Sequence, residues 1–158
     1  VDALYVMEIA GVMVGMMSMK RVALDDKTSV SQQLVPDDFP VLAAEGVRLV
    51  INNRPDSELP EHLQSAEASR LAQRHGMHYL YMPMTFPGLS AALVDSFAAA
   101  VAQSGGPVHA HCRSGTRSAA LWALGKLRGR AEDRSAVNDM LLAKGIDIKD
   151  ALAWLDRQ

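Results

Sequence analysis

The chain has 158 residues, 49% of them hydrophobic and 22% charged, with a formal net charge of −2. That balance is too apolar and too evenly charged for a disordered chain. It gives no overall basic footprint for nucleic acid, and the length suffices for a core without disulfides or structural metal. Cys112 is the single cysteine, so no internal disulfide or cysteine cluster exists, and a reducing cytoplasm is the expected compartment.

In chain order, residues 1–19 read VDALYVMEIAGVMVGMMSM and hold five of the nine methionines. Asp2 and Glu8 interrupt the stretch, its apolar run Ile9–Met17 is about half the ~20 residues of a membrane span, and no Lys or Arg precedes it as in a signal peptide. It is expected to be a poorly ordered extension ahead of a domain over 20–158, neither anchor nor signal. An arm that packs between copies in a homo-oligomer is the alternative. From Lys20 onward strand-like and helix-like segments alternate, which is the pattern of a single α/β domain with a mainly parallel central sheet flanked by helices. Short β-type pieces fall at Arg21–Leu24 and Ser29–Gln32. Pro36-Asp37-Asp38 opens a helix that Gly46 closes. Val47–Asn52 is a β-branched strand, broken at Asn53-Arg54-Pro55-Asp56 because proline cannot continue a ladder. A helix follows over about Leu63–His75, then a strand Tyr79–Met82 and a loop Pro83–Leu89. Ser90 caps a helix Ala91–Gln103, and Val108–His111 is the next strand. It turns directly into a helix Arg117–Leu127 that Gly129 ends, before two last helices, Asp133–Ala143 and Ile148–Asp156.

The informative stretch is Pro107-Val-His-Ala-His-Cys112-Arg113-Ser114-Gly115-Thr116-Arg117-Ser118. A buried strand ends at a cysteine, a short loop carries a glycine and two arginines, and a helix begins at once. Backbone N–H groups in such a turn converge, the helix N-terminus adds partial positive charge, and arginine forks grip oxyanions in pairs. The same field favours a thiolate, so Cys112 is the expected nucleophile, with Arg113, Ser114, Gly115, Thr116 and Ser118 forming an anion-binding loop around it. A lone cysteine at the end of an apolar strand is usually an inert small hydrophobe. Here the residues that follow it reverse that reading.

At these residues the sequence resembles cysteine-dependent phosphatases, which carry His-Cys, five residues, then Arg and Ser or Thr. More specifically, Val50-Ile-Asn-Asn-Arg-Pro-Asp56 together with His111-Cys-Arg-Ser-Gly-Thr-Arg-Ser-Ala-Ala-Leu-Trp122 resembles the phosphatase-like domain of beta-lactamase-hydrolase-like proteins, a small bacterial family sometimes labelled sulfur transferase. The resemblance implies a cysteine-phosphatase-like fold and gives Arg117 the central place in the cradle. Two departures matter. Four residues separate Cys112 from Arg117, the spacing of rhodanese-type sulfurtransferases and one fewer than in phosphatases. The loop Pro83–Leu89, where phosphatases place an acid, has no carboxylate.

Asp56 is therefore the expected proton donor, as a residue at the end of a neighbouring strand, with Arg54 and Thr85 as candidate substrate contacts. A turn built on Asp56 is the structural alternative. Asn52 and Asn53 are expected to bond backbone, and His109 and His111 to face away from the pocket. The expected activity is that of a phosphatase-like hydrolase. A sulfurtransferase carrying a persulfide on Cys112 and an anion-binding or redox-sensing module are the alternatives. The expected partner is a small anionic substrate, a phosphate ester or a sulfane-sulfur donor, with no cofactor, metal, nucleic acid or membrane.

Overall fold

The computed structural model describes residues 19–128 and 133–158. The expected extension up to Ser18 and the helix stop at Gly129 lie outside the described residues. Five strands form one sheet: β1 (Val22–Ala23), β2 (Thr28–Ser31), β3 (Leu49–Asn52), β4 (His78–Tyr81) and β5 (Val108–His111). Their order is β1-β2-β5-β3-β4, with β1 antiparallel to β2 and every other pairing parallel. The β1–β2 turn is built on Asp25, whose Oδ1 accepts from the N–H groups of Lys27 and Thr28 at 2.8 and 2.7 Å. Each parallel step needs a crossover, and three helices supply them: α1 (Asp38–Ala44), α2 (Ser65–Arg74) and α3 (Ala91–Gln103). The chain ends with α4 (Thr116–Leu127), α5 (Arg134–Ala143) and α6 (Lys149–Asp156).

Alternation along the strands sorts the two faces. Val30, Leu49, Ile51, Val108 and Ala110 join side chains from α3, α4, α5 and α6 in the larger core. Val50 joins Phe39 and Leu42 of α1 and Ala68 and Ala72 of α2 in the smaller one. All four residues of β5 are buried, as suits the middle strand of a sheet covered on both sides. α4 is also buried over Ser118–Leu124, because its apolar residues occupy every face of the helix. Among the described residues, no helix is long and apolar enough to cross a membrane.

Element boundaries moved where a side chain at a distance set them. The helix expected from Leu63 starts at Ser65, since Gln64 is extended at φ −77° and ψ 170°. Short 3-10 turns at Asp56–Glu58 and Glu61–Leu63 precede it, behind Pro55 and Pro60. The helix expected from Arg117 starts one residue earlier, directly after Gly115.

Candidate active site

β5 and α4 meet at Cys112. The strand ends at His111, and Cys112 is wholly buried at the turn into the helix. Gly115 makes the turn with φ +100°, a left-handed conformation that side chains disfavour. In that conformation its N–H donates to Cys112 Sγ at 3.1 Å. A methyl group there would sit 3.4 Å from the Ser31 carbonyl oxygen, so the end of β2 closely backs the loop. Gln33 N–H donates to the Arg113 carbonyl at 3.2 Å and holds the two segments together.

Arg117 lies in the first turn of α4, and its five N–H groups can be assigned individually. Nη1 donates to Glu58 Oε2 and to the Met84 carbonyl, both at 2.9 Å, and Nη2 donates to Glu58 Oε1 at 2.8 Å. Three donors are thereby engaged. In the planar guanidinium the remaining Nε–H and Nη2–H lie side by side on the edge away from Met84, the arrangement that binds an oxyanion in pairs. Glu58 also accepts from Arg54 Nε at 3.0 Å, and Arg54 Nη1 reaches Gln33 Oε1 at 3.4 Å. Hydrogen bonds from Arg117, aided by those from Arg54, pull the Glu58 carboxyl down to about 2. Glu58 in turn holds Arg117 above its ordinary value, with the charge of the nearby Cys112 adding to the effect. Glu58 is an ion-pair partner at neutral pH, with no proton to donate.

Behind the loop, hydrophilic side chains run under the sheet. Arg21 Nε donates to Ser29 Oγ at 3.0 Å, and Ser29 Oγ and Ser31 Oγ lie 2.8 Å from the two ring nitrogens of His109. Ser31 Oγ donates to the Gln32 carbonyl, so it accepts from His109 Nε2–H, and Ser29 donates to Nδ1. Burial pushes His109 well below its ordinary value and His111 down to about 4, so both rings are neutral. Among the described residues, neither His111 nitrogen has a side-chain hydrogen-bond partner. On the other side of the loop, Ser118 Oγ donates to Asn53 Oδ1 at 2.7 Å, and Asn53 Nδ2 donates to the Met82 carbonyl at 2.8 Å.

The sequence-expected residues therefore divide. Cys112, Gly115 and Arg117 form the centre. Arg54 is tied to it through Glu58. Arg113 and Ser114 are exposed on the outer side of the loop, and Ser114 Oγ donates to Thr116 Oγ1 at 3.3 Å. Thr85 is exposed in a turn, its hydroxyl accepting from Gly88 N–H at 3.3 Å. Asp56 requires a correction. Its carboxylate accepts from Ser65 N–H at 2.8 Å and Ser65 Oγ at 2.7 Å, so it caps the start of α2 and is not free as an acid. Asn52 and Asn53 bond backbone as expected, Asn52 Oδ1 accepting from Arg54 N–H at 2.8 Å. The residue that sequence reasoning missed is Glu58. An acid four positions after Arg54 is the local signal for it.

The family model for the beta-lactamase hydrolase-like protein, phosphatase-like domain, matches residues 21–129. The chain belongs to this family. A beta-lactamase hydrolase-like protein of Agrobacterium fabrum is 36% identical over 141 residues, which are 89% of this chain and 32% of that protein. The chain thus spans about a third of the length of the curated relatives it matches. Among solved structures, a candidate phosphatase from Neisseria meningitidis superposes with a TM-score of 0.74 at 26% identity, covering 86% of this chain and 96% of that one. Kinase associated phosphatase, solved with its catalytic-site cysteine replaced by serine, gives 0.68 at 15% identity over 85% of this chain and 89% of its own. At that identity the likeness concerns the fold, which is that of the cysteine phosphatases.

Proposed function

We propose that this domain of the family is a cysteine-dependent phosphatase-like hydrolase with Cys112 as nucleophile and Arg117 as the oxyanion-binding residue. The observation that carries this reading is the Gly115 N–H on Cys112 Sγ beside an arginine whose paired Nε–H and Nη2–H are left for a ligand. The sulfur attacks phosphorus, the bond to the ester oxygen breaks, and Arg117 and loop amides stabilise the equatorial oxygens. Water then displaces the sulfur and releases phosphate. The two carboxylates that follow β3, Asp56 and Glu58, are both engaged. An ester that needs a protonated leaving oxygen loses ~10²–10⁴ in rate without an acid, so aryl phosphates are the better substrates.

Sulfur transfer is the second reading, favoured by the four-residue spacing from Cys112 to Arg117 and by those engaged carboxylates. A thiolate accepting a sulfane sulfur requires no such acid. One preparation assayed with an aryl phosphate and with thiosulfate plus cyanide, as wild type and Cys112→Ser, separates the two. Phosphate release that Cys112→Ser abolishes is the expected result. Turnover of thiosulfate alone replaces the hydrolase with a sulfurtransferase, and neither activity leaves an anion-binding or redox module. The location of the chain and its larger partners belong to the proposal as well: a cytoplasmic protein acting on a small anion.

A further inference from the structure

On the face of the sheet under α1 and α2, Val50 of β3 packs among apolar side chains, and in register beside it on β5 stands His109, fully buried. A histidine at such a position costs desolvation that a valine does not, so both ring nitrogens need partners. β2 supplies them. Arg21 Nε only donates, so Ser29 Oγ accepts from it at 3.0 Å and gives its one hydrogen to His109 Nδ1. The ring hydrogen is thereby on Nε2, which donates to Ser31 Oγ, and the Ser31 hydrogen goes to the Gln32 carbonyl at 2.8 Å. Each hydrogen in the series has one place. Its outer end is anchored too, because Arg21 pairs with Glu45 at the end of α1.

The series ends against the Cys112 loop. Ser31 is the last residue of β2, in register with His111, and the strand pairing that fixes the backbone stops there. A methyl group on Gly115 would sit 3.4 Å from the Ser31 carbonyl oxygen, and two residues on, Gln33 N–H donates to the Arg113 carbonyl at 3.2 Å. The Gly115 N–H in turn reaches Cys112 Sγ at 3.1 Å. We infer that His109 is a positioning residue for the Cys112 loop, fixing the end of β2 so that Ser31 and Gln33 hold Gly115 and its N–H in place. The inference rests on the nucleophilic role of Cys112 proposed above, since a donor aimed at the sulfur helps the reaction only if it is held there beforehand. A fully satisfied buried network suits that task, because none of its members can turn to another partner without leaving a donor unpaired. The effect of His109 passes through the Ser31 and Gln33 contacts.

The test uses the full chain as wild type, His109→Leu, His109→Gln and Ser31→Ala. Ala72→Gly joins them as a variant that loosens the same core from α2 and removes no hydrogen bond of the series. Amide hydrogen exchange at Gly115, followed by NMR, is expected to quicken roughly tenfold in His109→Leu and in Ser31→Ala. His109→Gln keeps one acceptor and one donor and is expected to restore the wild-type rate, while Ala72→Gly leaves that rate unchanged. Turnover of an aryl phosphate is expected to follow the same order. In His109→Leu kcat falls roughly tenfold with KM little changed, because Glu58 still holds Arg117, and His109→Gln recovers it. An unaltered Gly115 exchange rate in His109→Leu, or an equal acceleration in Ala72→Gly, overturns the inference. Should His109→Leu not fold, Ser31→Ala decides alone. If the wild type turns over neither an aryl phosphate nor thiosulfate, the proposed function fails, while the exchange rates still judge the His109 assignment.

Discussion

The Arg117 side chain shows how one carboxylate can set the use of an arginine. Glu58 and the Met84 carbonyl hold three of its five donors, and the remaining pair is thereby fixed in direction, with Cys112 close by. Replacing Glu58 with Gln removes the charge that holds both Arg117 and Arg54 while keeping the side-chain size. The expected outcome is a fall in kcat/KM on an aryl phosphate by ~10–100-fold, from a misdirected guanidinium. An unchanged kcat/KM would show that the loop orients Arg117 unaided. Glu58 titrates at about 2, so this pairing is complete above the ordinary carboxylate range and is lost only as pH falls toward that value. Cys112, Gly115 and Arg117 were legible because they are neighbours in the chain. Glu58 was not, because it stands 59 positions from Arg117 and only the sheet brings them together.

At the scale of elements, the segment from Pro55 to Ser65 decides what Asp56 does. Two prolines force short turns, and the chain folds back so that the Asp56 carboxylate covers the first N–H of α2. Asp56→Ala should lower stability by about 1 kcal/mol, the usual loss of a capping side chain, and leave kcat/KM close to wild type. An acid role would instead produce a loss of ~10²–10⁴ in rate, so thermal melting and steady-state kinetics on one variant distinguish the two. Gly115 is the second element-level control point. Gly115→Ala places a side chain in a left-handed turn against the Ser31 backbone, so a loss of ~1–2 kcal/mol in chemical denaturation is expected along with loss of activity. Helix and strand identities were legible from proline, glycine and apolar periodicity. The start of α2 was not, because its cap comes from a residue nine positions upstream.

For the whole molecule, the face of the sheet under α1 and α2 carries His109 and His111 as buried neutral rings, a polar seam within a small domain. Burial lowers both folded-state values, while an unfolded chain takes up protons near pH ~6.5. Between that value and about 4 the unfolded state binds more protons than the folded one, so stability falls as pH drops through this window and is fully present above it. His111 alone accounts for up to about 3 kcal/mol of that loss. Melting temperatures measured from pH ~7.5 to ~4.5 should decline, and His111→Leu should flatten the decline. A flat wild-type profile would mean that these rings take up protons in the folded chain as readily as in the unfolded one.

The sequence by itself determined the α/β class, the parallel centre of the sheet, the family and the Cys112 loop, because each depends on residues close together in the chain or on local periodicity. Tertiary structure alone decided which edge of Arg117 is free, that Asp56 is a cap, and where the Ser118 hydroxyl points. Those outcomes depend on which distant group satisfies each donor, and one hydrogen or one carboxylate oxygen serves only the partner that the fold brings within reach.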